Sequence, residues 1–167
     1  MSKLTALALS IAVLGGVWAF LSLNPLAGLA VVWVGFIAWG CYFHTGGDNA
    51  ALQKTIAGMV FGAVMAGIAL YLVSSGTLGG LGALAAPVII AATVFPLVIV
   101  AGNNLLSVVP ANVYGYAATA GLALSTNTAA NATMMNMSNP VLLVIVSTVL
   151  GAVFGMVSGK LAGALGK

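Results

Sequence analysis

The stretch WGCYFHTGGDNAALQK, Trp39–Lys54, holds half of the lysine, aspartate and histidine in a chain that has almost none. His44, Asp48 and Lys54 lie here; only Lys3, Lys160 and Lys167 lie elsewhere. Charged residues make up 3% of the 167 residues and hydrophobic ones 62%, whereas a soluble domain carries about 25% charged residues. Such a chain has too little polar surface to face water. Lipid is the solvent that fits, and a helix crossing it needs roughly 20 mostly apolar residues. Continuous apolar runs on either side of Trp39–Lys54 exclude a β-barrel, whose strands are short and alternate. The expected fold is all-α and polytopic, with this stretch as a wet loop between two spans.

Working outward, six apolar segments are predicted, at about 4–23, 26–43, 52–73, 84–101, 108–124 and 140–162. Asn24-Pro25, HTGGDN and SSGTLGGLG mark the first three ends. Pro96 falls inside the fourth segment, where it removes a backbone donor and is expected to bend the helix. The first run begins beside Lys3 like a signal peptide, but its length and the lack of a clear cleavage site make it a retained helix. With six spans and the N-terminus inside, all four lysines fall in cytoplasmic pieces or at their helix ends. That is the positive-inside pattern, with both termini cytoplasmic. The lysines form no basic run, so they read as topology signals and nucleic acid is not an expected partner.

The chain also repeats itself. VGFIAWGCYFHT, from Val34, overlays YGYAATAGLALST, from Tyr114, at an offset of 80, matching Gly35 with Gly115 and Ala38 with Ala118. FGAVMAG (61–67) overlays LGAVFGM (150–156) at an offset of 89. Three spans per half would invert the second half relative to the first, as in many transport proteins. The expectation is one transmembrane domain, 1–167, with halves 1–76 and 77–167.

Few residues are equipped for chemistry. Cys41 is the only cysteine and His44 the only histidine, so no disulfide within the chain and no metal site are expected. A His44–Asp48 pair without a nucleophile or a metal is a poor catalytic set, and no cofactor motif is present. The expectation is therefore a protein that is not an enzyme. Coupled transport would require Asp48, the one carboxylate side chain, to reach a cavity. Glycines at a spacing of four run through the last segment at Gly151, Gly155, Gly159 and Gly163, with a shorter set at Gly58 and Gly62. Such stripes let helix backbones approach closely. Packing of the third segment on the sixth, a subunit interface, or a pore-lining face are the three readings. Polar residues near membrane depth pair with one another or line a wet path. Asn103, Asn104, Asn112 and Thr119 are the candidates for hydrogen-bonding a solute, with Trp39 as constriction and His44 as a pH-sensitive gate at the inner end.

Three stretches carry a resemblance: VWVGFIAWGCYFHTGG, GMVFGAVMAGIALYL and NLLSVVPANVYGYAATAG. Together they resemble the small bacterial inner-membrane proteins of domain-of-unknown-function family 1097, from about Gly15 to Gly159. The resemblance implies a bacterial inner-membrane protein, with no activity and no site residue to carry over. The polar stretch 125–139, with its asparagines and three methionines, matches no motif of that family. Two functions remain in view. One is a passive channel or facilitator for a small neutral solute, embedded in lipid as a homo-oligomer; the other is a non-transporting membrane subunit that scaffolds or regulates a partner.

Overall fold

The computed structural model describes all residues from Met1 to Lys167 and contains helices and turns but no strand. Six α-helices follow one another: α1 Lys3–Leu23, α2 Val32–His44, α3 Asn49–Ser74, α4 Ala85–Ile99, α5 Val109–Ser125 and α6 Pro140–Leu165. Four stretches are long and apolar enough to cross a membrane, namely Lys3–Leu23, Asn49–Ser74, Gly79–Gly102 and Pro140–Leu165; Val32–His44 is a shorter apolar helix. The expected second segment from residue 26 starts instead at Val32, because residues 24–29 form successive turns after Asn24. Pro96 lies inside α4, and the α geometry gives way to a 3₁₀ turn at Val100–Gly102 shortly after it. Missing its amide, a proline within a helix leaves an earlier carbonyl unpaired and weakens the turn around it.

The stretch around His44 is a built turn. The Asp48 carboxylate caps α3, accepting from the Ala51 amide at 2.7 Å, so the only carboxylate side chain serves a helix N-terminus. The Tyr42 hydroxyl donates to the carbonyl of Gly47. Thr45 returns its hydroxyl proton to the Cys41 carbonyl at 2.8 Å. Gly47 takes a positive φ of 70°, which a side chain would resist.

Packing crosses the chain midpoint. Helix α2 lies against α6 and α3 against α5; α1 also lies on α6 and α4 on α3. Exchanging α1 with α4, α2 with α5 and α3 with α6 turns each of these pairs into another pair on the same list of neighbours. Helices α3 and α6 meet each other as well. The closest approaches are between backbones. An added Cβ on Gly151 would stand 2.2 Å from the Gly35 carbonyl oxygen, and one on Gly115 would stand 1.9 Å from that of Met59. Between helices in lipid, this intimacy supplies the van der Waals contact that a hydrophobic drive supplies in water.

The glycine stripes therefore seat other helices than the sequence pointed to. Gly58 and Gly62 face Ala111, Asn112 and Tyr116 of α5, and Gly151, Gly155 and Gly159 face Gly35, Trp39, Tyr42 and Phe43 of α2. All five face neighbours in the same chain. Gly163 has open space around it. Tyr42, at the end of α2, is 2% exposed and packs on Gly155. Large apolar side chains such as Phe20, Phe95, Ile99 and Leu124 point outward, each more than 60% exposed. A surface of that kind needs an apolar surrounding.

One polar tie joins the start of α2 to α6. The Val31 amide, an orphan donor at the helix N-terminus, gives its proton to the Ser147 hydroxyl at 2.8 Å. Ser147→Ala should cost about 1–3 kcal/mol, the usual penalty for stranding a buried donor. The check is a lower unfolding midpoint in detergent, followed by tryptophan fluorescence; an unchanged midpoint would mean the tie contributes nothing.

Candidate functional site

The largest recess is a groove of about 530 Å³ between α2 and α5, open along its side. Helix α2 contributes Trp33, Phe36, Ile37, Gly40, Cys41 and His44; helix α5 contributes Tyr114, Ala117, Ala118 and Gly121. No lysine or carboxylate is among them. The walls are shaped by residue size: Gly40 and Gly121 have nothing within 4 Å of where a Cβ would be, while Trp33 and Phe36 stand 42% and 41% exposed. His44 is exposed at the C-terminal end of α2. Cys41 lies at the floor with its sulfur 3.7 Å from the Thr55 hydroxyl, buried in the core rather than offered to a ligand.

The other candidate path residues lie apart from this groove. Trp39 is 2% exposed, and its indole N–H donates to the Ser158 hydroxyl at 3.0 Å. It is also stacked on Phe36 at a centroid distance of 5.7 Å. Asn112 is fully buried; its amide nitrogen donates to the carbonyls of Leu97 at 2.8 Å and Leu106 at 3.1 Å, tying the end of α4 to α5. Its Oδ1 has no hydrogen-bond partner and sits in the contact with Gly58. Thr119 is equally buried and returns its proton to the Gly115 carbonyl at 3.0 Å. Asn103 and Asn104 are exposed in the turn between α4 and α5, where the Asn103 side chain accepts from the Leu105 amide at 2.9 Å. Of the six candidates, only His44 lines the groove. Trp39 and Asn112 tie helices together, Thr119 bonds back within α5, and the two exposed asparagines shape a turn.

Sequence reasoning passed over the groove because its lining is mostly small or apolar. A signal was nevertheless present: the offset of 80 sets Ile37 on Ala117 and Cys41 on Gly121, and all four line the groove. The recess thus lies between the two helices that the sequence overlay matches.

A family profile described as "Protein of unknown function (DUF1097)" matches residues 8–163. The chain belongs to the DUF1097 family. The match is wider at both ends than the Gly15–Gly159 stretch on which the resemblance rested, so every helix of this DUF1097 protein takes part in it. No curated protein and no solved structure matches the chain.

Proposed function

We propose that this DUF1097 protein is a multi-pass protein of the bacterial inner membrane and a passive facilitator for a small neutral solute. Its six helices would span as two inverted three-helix halves, with both termini cytoplasmic. The reciprocal packing of α2 on α6 and α3 on α5 supports the repeat, and the lysine distribution supports the orientation. The observation that carries the functional reading is the uncharged groove to which both halves contribute equivalent helices. Inverted-repeat transport proteins hold their solutes at the interface between repeats. A lining without fixed charge disfavours ions and suits urea-like amides, short polyols or dissolved gases. Because the groove opens sideways, a second copy of the chain would close it into a path.

The test is osmotic. Purified protein in liposomes is challenged with urea, formamide and glycerol, and reswelling is compared with that of empty vesicles. Gly121→Leu and Gly40→Leu place bulk in the groove where no other atom stands, and each should bring flux down to the empty-vesicle rate. Undiminished flux in both would remove the groove as the path. The apolar, laterally open shape of the same groove also fits a partner's helix, which favours the reading as a non-transporting subunit. In that case folded wild-type protein passes no solute, and Gly121→Leu instead releases the partner on purification.

A further inference from the structure

The loop between α5 and α6 carries three thioethers in four positions, at Met134, Met135 and Met137. Met135 is 97% exposed and Met134 44% in a stretch otherwise made of Ser, Thr, Asn and Ala, so neither packing within the chain nor an apolar helix face accounts for two thioethers placed side by side there. The backbone beneath them is held. The Asn139 side-chain amide donates to the carbonyls of Ala132 at 3.0 Å and Met134 at 2.8 Å. Its main-chain amide closes a turn onto the Asn136 carbonyl at 3.0 Å. The Asn136 side chain accepts from the Ser138 amide at 2.9 Å. The Ser138 hydroxyl stands 3.4 Å from Met134 Sδ, so that sulfur lies over the turn that also bears Met137.

Three peptide steps separate Met134 from Met137, a reach of roughly 11 Å at full extension and less around a turn. Methionine has three rotatable bonds with which to bring its sulfur inward. Residues 125–139 contain no aspartate, glutamate, histidine, cysteine or lysine. A hard divalent ion would find only amide, hydroxyl and carbonyl oxygens, whereas thioethers select soft cations such as Cu(I). A neutral donor set leaves the charge of the ion uncompensated, which favours a monovalent one.

We propose that Met134, Met135 and Met137 form a binding site for a soft monovalent cation, Cu(I) or Ag(I), through their three sulfurs. The site is independent of the solute path and of which side of the membrane the loop occupies. The experiment uses full-length protein in nanodiscs, titrated anaerobically with Cu(I) against a colorimetric chelator and separately with Ag(I). One equivalent per chain is expected, with no binding of Zn(II) or Mg(II). The triple variant Met134→Leu, Met135→Leu, Met137→Leu keeps side-chain volume on an exposed loop. Its affinity should fall by more than the 10–100-fold typical of changes to groups behind the ligands. Cys41→Ala should bind as tightly as the wild type. As a second readout, Ag(I) should slow peroxide oxidation of these three methionines, measured by mass spectrometry of the digested protein. Equal binding by the triple variant, loss of binding in Cys41→Ala, or no uptake of Ag(I) by the wild type would each overturn the site.

Discussion

Alanine at Gly62, Gly115 or Gly151 should leave little folded protein. The new Cβ would stand 1.9 Å from the Asn112 carbonyl oxygen, 1.9 Å from that of Met59 or 2.2 Å from that of Gly35. In each case the obstacle is backbone, which cannot turn aside as a side chain can. Helices must separate along the whole contact, so the cost should exceed the 1–3 kcal/mol usual for an overpacked core, and we expect about 3 kcal/mol or more. Gly16→Ala and Gly163→Ala are the controls, since nothing lies within 4 Å of either new atom. In a helix, alanine there should be neutral or stabilising by roughly 0.5–1 kcal/mol. Size-exclusion chromatography of detergent extracts reads both outcomes. A normal monodisperse peak for Gly62→Ala, or equal loss in the controls, would contradict the packing described.

Trp18→Ala should be nearly as severe. Trp18 is fully buried, donates its indole proton to the Val32 carbonyl at 2.9 Å and meets Phe154 at a centroid distance of 5.5 Å. Removing it opens a cavity and loses that bond, for about 3–5 kcal/mol by analogy with other buried tryptophans. The ring occupies the space that Gly35 leaves: a Cβ there would be 2.3 Å from Trp18 Cζ2. The two positions are therefore coupled. Gly35→Ala should be costly alone and much less so in a Trp18→Ala background, and additive melting shifts would show that they do not share that space.

The helices were legible because apolar runs of spanning length leave few alternatives, and five of the six starts fall within three residues of where the runs begin. The exception is instructive. Residues 26–31 are as apolar as a helix, but the turns after Asn24 consume them, and hydropathy does not separate an apolar turn from an apolar helix. The overlay set Gly35 on Gly115, and both positions are closed to a side chain, Gly35 by the Trp18 ring and Gly115 by the Met59 backbone. The glycine stripes told that something comes close without telling what. The path residues were harder. Asn112 and Thr119 looked available because their polarity is visible in sequence, but their bonds to Leu97, Leu106 and Gly115 are not. The groove itself is lined by residues whose chemistry is silent, and only their placement makes a recess.

The crossing of neighbours over the chain midpoint has a consequence for biosynthesis. The bond from Val31 to Ser147 joins residues 116 apart, and the Gly35–Gly151 contact has the same separation. At a ribosomal rate of ~5–20 residues per second, α2 waits roughly 6–25 s for α6 to be made. Through that interval the sides of Trp39 and Tyr42 that meet Ser158 and Gly155 stay uncovered, while the space at Gly35 is already filled by Trp18 of α1. Assembly of the α1, α2 and α3 faces that lie on α6 therefore waits on that 26-residue helix.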